Sequence, residues 1–475
     1  MPKVQFVFLY TDVFIWALFA LIVLYAVHAA RTRELVRKWS LVLSNRTAVA
    51  CAAVLSVFFV LALVDSVHYR HALSGQPDAA QTLYSPRAVS LLDDMLLGRI
   101  AGRERSYSAP FALREFDKTT VLEEGASRRV HARLTGASPD LSEEGAAIFL
   151  MRRIEIGVMG AVLVLALFWT VLALVVKWAR KTAFRQALTV VTRRDNPWRP
   201  AILVWQCALF AAALLMTVWP HFHVLGTDTT GNDVLYGAIK SVRTAIVIGS
   251  LATLSTLPFA VVLGIAAGYF KSWVDDVIQY VYTTVSSIPS VLLIAASVLM
   301  VQVFIDTHPA SFATSLERSD IRLFLLAAII GMTGWASLAR LLRAETMKIS
   351  AMDFVTAARA FGVSHARIMA RHVLPNVAHI VLIVTVLDFS GIVLYEAVLS
   401  YVGVGVDPTM HSFGSMINAA AVEMSRSPVI WWNLAASFAF MFTLVLAANL
   451  FAGGVREAFD PRAARSQTAG KEAAS

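Results

Sequence analysis

Residues 353–375 read DFVTAARAFGVSHARIMARHVLP, and this stretch decides the fold of the chain. In its first half, apolar side chains recur at the spacing of one helix face, at Phe354, Ala357, Ala358 and Phe361. Such spacing predicts a short helix with a single apolar stripe. Asp353 precedes the stripe, and aspartate is a residue type that caps the start of a helix.

Gly362 follows this predicted helix and can adopt the left-handed conformation that ends a helix. Ser364 is then placed to cap a second helix, which runs from His365 towards Leu374. Basic residues surround the apolar stripe, and long apolar stretches flank the segment on both sides. Because basic loops of membrane proteins lie on the cytoplasmic side, we predict a cytoplasmic pair of short helices that docks on another protein. We call this segment, residues 353–375, the docking loop.

This segment resembles the EAA loop of ABC importer permeases. The resemblance rests on the adjacent Ala357 and Ala358, on Gly362 after three intervening residues, and on Leu374 followed by Pro375. It implies that the segment couples the membrane helices to an ATPase subunit. The alternative is a re-entrant amphipathic loop that only stabilises neighbouring helices.

The loop looks most like that of the dipeptide, oligopeptide and nickel branch of this family. Thr356 stands where the general motif has glutamate, and His372 where it has isoleucine; both departures fit that branch. The ATPase-coupling residues that the resemblance assigns are Phe354, Thr356, Ala357, Ala358, Phe361, Gly362, Leu374 and Pro375.

Composition places the chain among polytopic membrane proteins. Hydrophobic residues make up 57% of the 475 residues and charged residues only 15%, and the mean hydropathy is +0.65. Basic cytoplasmic loops account for the net charge of +9. Because no soluble module combines a basic cluster with base-stacking aromatics, we predict no nucleic-acid partner.

Nine apolar segments are long enough to cross a bilayer, for which about 20 residues are needed. We predict an all-α polytopic protein in which three N-terminal helices precede a six-helix core. The N-terminus lacks a basic leader with a cleavage site, so the first segment is expected to remain as an anchor. The predicted spans are 13–29, 48–64, 156–176, 201–219, 245–270, 277–304, 321–338, 377–398 and 429–451.

Lysine and arginine are concentrated after the first, third and seventh predicted spans and in the C-terminal tail. The positive-inside rule therefore places these segments in the cytoplasm and the N-terminus outside. Arg152 and Arg153 conflict locally with this orientation, and we interpret them as the end of an outside domain. The family resemblance implies the inner membrane of a bacterium.

Residues 65–153 have nearly balanced acids and bases and few long apolar runs, which indicates a soluble extracytoplasmic lobe. Helical periodicity covers residues 91–100, and glycine and proline turn signals follow. We predict a small α/β or helical lobe. A docking platform for an external partner and a solvated spacer both fit this composition.

Further motifs of the same family follow in order along the chain. HVLGTDTTGNDV (223–234) resembles HPLGTDxxGRDV, YEAVLSYVGVGVDP (395–408) resembles EAxLSFLGLGVxPP, and SFGSM (412–416) resembles SWGxM. The resulting domain prediction has a helix pair (1–64), the lobe (65–153), a third helix with a linker (154–199), a permease domain (200–460) whose coupling loop is 340–375, and a cytoplasmic tail (461–475).

The sequence has no phosphate-binding G-x-x-x-x-G-K-[ST] loop, nucleophile elbow or HExxH pair. We therefore predict a non-enzyme subunit without a cofactor or metal. Asp228 and Asp233 are expected to bind local backbone amides. Both cysteines, Cys51 and Cys207, lie in apolar runs, where free thiols behave as small hydrophobes.

Two acidic residues fall in the eighth predicted span, where an ionised carboxylate is costly next to lipid. Asp388 either lines the solute path or makes a packing hydrogen bond to Thr385 or Ser390. Glu396, nearer the outer end, is either a gate or a structural hydrogen-bond partner.

These features predict the membrane subunit of an ATP-driven importer for peptides or similar small solutes. The resemblance implies four kinds of neighbour: a second homologous permease, two ATPase subunits, an extracytoplasmic solute-binding protein and membrane lipid. An ion-gradient-driven secondary transporter would need ionisable groups at repeat interfaces. A membrane sensor would leave the predicted docking loop without a partner.

Overall fold

The computed structural model describes residues 4–72, 84–86, 88–97, 103–123, 126–136, 143–181, 183–193, 196–308 and 314–459. Its segments form two compact units, which are described separately. The first unit comprises Met1–Phe8, Leu43–Arg243 and His411–Ala447, and the second comprises Leu9–Val42, Thr244–Met410 and Ala448–Ser475.

The chain begins with a short strand and three helices. Asn45 starts the third helix as its cap, because its side chain accepts hydrogen bonds from the amides of Thr47 and Ala48. The first helix packs on a later helix of the second unit, where the Thr11 amide and hydroxyl donate to the buried carboxylate of Asp320. These elements are β1 (Val4–Val7), α1 (Tyr10–Arg31), α2 (Arg33–Ser44) and α3 (Arg46–Asp65).

The lobe after α3 combines strands with a short helix, which is one of the two predicted forms. Strand β1 pairs antiparallel with the first strand of the lobe, a pairing that the sequence did not predict. The predicted helix 91–100 ends at Leu97 in the structure, and residues 98–100 lie outside the described residues. The elements are β2 (His68–His71), β3 (Val89–Ser90), α4 (Leu91–Leu97), β4 (Thr119–Glu123) and β5 (Ala126–Val130).

Three helices follow, and the first is longer than predicted. Residues 143–153, which the sequence assigned to the lobe, belong to this helix. That boundary was wrong because amphipathic residues continue the helix beyond the apolar run that the bilayer ruler measures. The helices are α5 (Glu143–Arg180), α6 (Phe184–Thr192) and α7 (Arg199–Val218).

The next predicted spans differ in continuity. Pro258 lies inside one unbroken helix, whereas the single helix predicted at 277–304 is wrong. It is split at Ile288 and Pro289, because proline lacks an amide hydrogen and instead begins the second piece. The helices are α8 (Val234–Phe270), α9 (Ser272–Ser287), α10 (Ser290–Thr307), α11 (Ser315–Gly334) and α12 (Ala336–Ser350).

The last part of the chain contains the short helices of the predicted docking loop and two long helices. A π-helical turn, Met369–Val373, joins the second short helix to the long helix that follows. The helices are α13 (Asp353–Ala360), α14 (His365–Ile368), α15 (Leu374–Tyr401), α16 (Phe413–Glu423) and α17 (Trp432–Phe459).

Within the described residues, eight helices are long and apolar enough to cross a membrane, and the bent pair α11 and α12 makes a ninth candidate. The prediction of an all-α polytopic protein with about nine spans is therefore confirmed. The second unit has a core cluster that includes Leu342, Val355, Ile368, Val373 and Val377, all completely buried. Both short helices of the loop are thus built onto the core.

Candidate functional site

The loop is supported by close packing of α12 against α8. A methyl group added at Gly264 or Gly268 would lie 2.7 or 2.5 Å from backbone oxygens of α12, so only glycine permits this approach. Small residues four positions apart commonly bring membrane helices together in this way. Arg343 of α12 also forms two hydrogen bonds with the Asp275 carboxylate, at 2.5 and 2.6 Å. These contacts make α12 a firm base for the loop.

Helix α13 divides its apolar side chains between two faces. Val355 is completely buried, and Ala358 packs against the same core cluster. Phe354 and Phe361 remain 44% and 86% exposed, and Ala357 is exposed beside them. The predicted single stripe is therefore wrong in one respect, because Ala358 anchors the helix while the other three residues form the outer face. We call Phe354, Ala357 and Phe361 the outer face of α13.

Gly362 has a φ of +75°, as the sequence predicted. The amide of Val363 donates to the carbonyl of Ala358 at 3.1 Å, and the amide of Gly362 donates to that of Arg359. The first of these bonds is characteristic of a glycine-terminated helix end. Because nothing lies within 4 Å of the position of an added Cβ, the backbone conformation alone calls for glycine here.

The predicted capping side chains do not cap. Asp353 is the first helical residue, Met352 occupies the cap position, and no side chain bonds to the first amides. Ser364 does precede α14, but its hydroxyl makes no capping hydrogen bond. The apolar anchor Val355 therefore fixes the start of α13 more than capping does.

Tyr269 of α8 contacts both short helices, a role that no pattern in the sequence indicated. Its hydroxyl lies 2.9 Å from the Nδ1 atom of His365 on α14. The guanidinium of Arg359 on α13 lies over its ring, 5.1 Å from the centroid. One aromatic side chain thus fixes the angle between the two helices across the glycine turn.

The remaining predicted coupling residues lie on the exposed side of the segment. Thr356 is exposed, and its hydroxyl donates to the Asp353 carbonyl within its own helix. Leu374 and Pro375 open α15 directly after the π-helical turn, and both are exposed. Widening the helix before Pro375 accommodates a residue that lacks an amide hydrogen.

The two acidic residues of α15 differ in environment. Asp388 is half-buried, and among the described residues it has no hydrogen bond. Thr385 and Ser390, its proposed packing partners, instead donate to the carbonyls of Val381 and Leu387, so that alternative is not observed.

Glu396 is buried and accepts a hydrogen bond of 2.6 Å from the Ser400 hydroxyl. Ser400 in turn accepts the amide of Val406 at 3.2 Å, where the chain folds back. Gly403, at φ +86°, ends α15, and the Val404 amide donates to the Leu399 carbonyl. The hydrogen bond that the sequence allowed for Glu396 is therefore present and stabilises the end of the helix.

The turn before α8, which we call the outer turn (residues 223–233), is organised by its two aspartates. Asp228 accepts the amides of Thr230 and Asn232. Asp233 accepts the Tyr236 amide and the Trp219 indole N–H. Their predicted role as local amide acceptors is confirmed. Among the described residues no group of three or more His, Cys, Asp or Glu could hold a metal ion.

His223 links the outer turn to the lobe. Its Nδ1 atom lies 2.8 Å from Asp233, and its Nε2 atom lies 3.6 Å from Glu104. Glu104 also accepts the amides of Thr135 and Gly136. Burial alone would lower the pKa of His223, but its hydrogen bond with Asp233 and the nearby Glu104 carboxylate raise it to about 9. The imidazole is therefore held as a cation.

A second ionic group ties the lobe and α3 to α8. The ammonium of Lys240 lies 2.6 Å from Asp65, the last residue of α3, and 2.9 Å from Asp93 of α4. Ser90 donates to Asp65 and Tyr236 donates to Asp93. Burial alone would raise the pKa of Asp93, but Lys240 and the hydrogen bonds that Asp93 accepts from the Ser90 amide and the Tyr236 hydroxyl lower it to about 2. The Asp93 carboxylate is therefore ionised at neutral pH.

Residues 260–465 match the model of the family "Binding-protein-dependent transport system inner membrane component". This range contains α9 to α17, with the docking loop and both acidic residues of α15. The resemblance to importer permeases of the peptide family is thereby confirmed.

Curated relatives match about half of the chain. The oligopeptide transport system permease protein OppC of Mycobacterium tuberculosis is 29% identical over 239 residues, which are 50% of this chain and 76% of the relative. OppC of Haemophilus influenzae is 27% identical over 241 residues, 51% of this chain and 71% of the relative. The dipeptide transport system permease protein DppC of Lactococcus lactis is 28% identical over 241 residues, which are 51% of this chain and 64% of the relative.

Proposed function

Because residues 260–465 belong to the inner-membrane components of binding-protein-dependent transport systems, we propose that this chain is the membrane subunit of an ATP-driven importer for peptides or similar small solutes. It lines the solute path together with a second, homologous permease. Two ATPase subunits dock from the cytoplasm, and an extracytoplasmic solute-binding protein delivers the solute. The chain itself carries out no ATP hydrolysis, because it has no phosphate-binding loop of its own.

The outer face of α13 is the observation that carries this proposal. Its two phenylalanines are exposed although the helix beneath them is fixed by Val355 and Tyr269. Burying one Phe side chain contributes roughly 1.5–3 kcal/mol. A surface that is apolar, rigid and unoccupied within the described chain is suited to enter a groove on a partner.

Movement of the ATPase subunits would reach the membrane helices through the base of the loop. Helix α13 packs on the core that α12 and α15 share, and α12 is fixed to α8 at Gly264 and Gly268. Packed interiors transmit displacement because they have few voids. Tilting of α13 would therefore move α12 and α15 as one group. Asp388, which is half-buried, lies on α15 and would move with it.

Co-purification of the ATPase subunits with the complete chain tests the docking surface. Ala357→Asp puts a charge on the outer face without removing a core contact, so we expect ATPase recovery to fall at least ten-fold and uptake to stop. Ala421→Asp is the matched control, because Ala421 is equally exposed on the short helix α16. Full ATPase recovery and normal uptake with Ala357→Asp would overturn the proposal.

The proposed orientation needs a separate test. In a chain in which Cys207→Ser removes the exposed native thiol, single cysteines are introduced by Ser127→Cys in the lobe and Ala360→Cys on α13, both exposed positions. A membrane-impermeant thiol reagent should label Ser127→Cys in intact cells and Ala360→Cys only in inverted vesicles. Labelling of both from one side would contradict the orientation.

A further inference from the structure

The first unit contains an apolar groove between α5, α6 and α7, with a volume of about 690 Å³. This volume lies in the range of roughly 300–1,000 Å³ that is usual for small-ligand sites. Aliphatic side chains of the three helices form the walls, and two tryptophans close them, at Leu172, Val176, Val190, Ile202, Trp198 and Trp205. The sequence assigned no role to this region.

The groove arises from the way α5 meets α7. Near Gly157 the two helices touch, since an added Cβ would lie 2.5 Å from Thr217 and 2.9 Å from Leu214. Towards the end of α5 and the start of α7 they leave the groove between them. Its apolar interior therefore faces the end of the helix pair where α6 connects them.

Two polar side chains along the groove, those of Trp205 and Asn196, form hydrogen bonds within the protein. The indole N–H of Trp205 donates to the Ser56 hydroxyl at 3.2 Å. Asn196 donates to the Val191 carbonyl and accepts the Trp198 amide. The walls thus offer an occupant dispersion contacts and apolar burial, which suits a hydrocarbon chain.

The mouth of the groove is strongly cationic. Arg180, at the end of α5, lines the groove and is exposed. Between Lys177 and Arg199 the sequence has seven basic residues and one acidic residue, a net charge of +6. Trp178 and Trp198, which are 89% and 50% exposed, flank the same end. Exposed tryptophans and basic residues mark the level of lipid headgroups.

We propose that this groove binds an anionic phospholipid, with an acyl chain between α5 and α7 and the headgroup phosphate at Arg180. Apolar walls alone would accept the chains of any phospholipid. The charge at the mouth supplies the selection, because basic pockets between membrane helices bind anionic headgroups and each basic residue contributes about 1 kcal/mol. The third N-terminal span, α5, then provides a lipid site together with α6 and α7, whatever the orientation of the chain.

Native mass spectrometry of the complete purified chain tests this site. The protein is delipidated and offered equal amounts of dioleoyl phosphatidylglycerol and dioleoyl phosphatidylcholine. We expect the native chain to retain phosphatidylglycerol about five-fold better, the ratio that corresponds to about 1 kcal/mol. Arg180→Gln should bring the ratio close to one. Arg152→Gln is the matched control, because it removes an exposed charge from the other part of α5.

A groove-filling substitution separates the acyl-chain site from charge alone. Ala201 lines the groove, so Ala201→Trp should abolish retention of both lipids. If this variant does not fold, the lipid ratio of Arg180→Gln and the thermal shift that phosphatidylglycerol produces test the site instead. Equal retention of the two lipids by the native chain would overturn the proposal. So would equal effects of Arg180→Gln and Arg152→Gln, or a dimer that Ala201→Trp disrupts, since a second copy would then occupy the groove.

Discussion

The outer turn and the docking loop are both glycine-containing segments between long helices, yet they treat their side chains in opposite ways. In the outer turn the charged groups that were singled out pair with other groups of the chain, and His223 and Asp233 are buried. In the docking loop two phenylalanines remain exposed on a fixed helix. A segment whose polar groups are paired within the chain stabilises the fold, whereas a rigid segment with exposed apolar side chains is available to a partner.

Their glycines show the same difference. Gly231 and Gly362 have nearly equal φ values, +76° and +75°. A Cβ at Gly231 would lie 1.9 Å from the Glu104 carbonyl oxygen, but at Gly362 it would meet open space. The outer turn therefore requires glycine for both conformation and space, and the docking loop requires it for conformation only.

The largest expected effect is loss of the Lys240 ion pairs. Lys240→Met removes the cation between Asp65 and Asp93, and breaking a buried pair in this way costs about 3–5 kcal/mol. Lys348→Met is the control, because the Lys348–Glu345 pair is largely exposed and should contribute little. Thermal unfolding of the purified chain measures both. A melting temperature unchanged by Lys240→Met would mean that this network does not hold the first unit together.

Alanine at the two glycines should sharpen the comparison. Gly362→Ala places an alanine in the left-handed conformation without a steric clash, so it should destabilise the fold by about 1–2 kcal/mol. Gly231→Ala adds a backbone clash, and overpacking costs about 1–3 kcal/mol more. The melting temperature should therefore fall further for Gly231→Ala, while ATPase co-purification should fall further for Gly362→Ala. Reversal of either order would remove the distinction between the two segments.

The His223 network predicts a pH dependence. Its pKa is raised above the ordinary value of 6.5 to about 9, so its contribution is complete below pH 6.5 and is lost as pH rises through 9. The contribution is on the order of 3 kcal/mol at most. Melting temperatures of the native chain should decline across this window more than those of His223→Gln. Parallel curves for the two proteins would show that the imidazole is not held as a cation.

The smallest expected effect belongs to Arg359 on the inner side of α13. Arg359→Gln removes the cation over the Tyr269 ring, an interaction worth about 0.5–1 kcal/mol at exposed sites. The His365 contact with Tyr269 remains, so ATPase recovery should stay within about five-fold of the native level, since 1 kcal/mol corresponds to a factor of about five. Recovery as low as that of Ala357→Asp would assign Arg359 to the docking surface itself.

The sequence was sufficient for features set by local chemistry. Apolar length located the nine candidate spans found among the described residues, although one of them was predicted with the wrong bounds. Gly362 marked the turn because few other residues adopt its backbone conformation. The aspartates of the outer turn were correctly assigned to local amides, because each bonds within four residues. The break at Pro289 was missed, since sequence alone does not distinguish a kinked helix from a broken one.

Features that depend on distant parts of the chain could not be predicted. Arg343 and Asp275 are 68 residues apart, and Tyr269 and His365 are 96 apart. Helical periodicity also cannot tell which of several neighbouring apolar residues face the core, so Val355 was missed as the anchor of α13. The pairing of β1 with β2 joins segments separated by the whole first helix pair.

The π-helical turn Met369–Val373 has a consequence for the phase of the long helix that it opens. A π-turn contains one residue more than an α-turn, and one residue corresponds to a rotation of about 100° around the helix axis. The azimuth of Asp388 relative to the docking loop is therefore fixed by a single inserted residue. Deleting one residue from this turn would leave the axis of α15 in place and rotate its side chains, Asp388 among them, by about 100° around that axis.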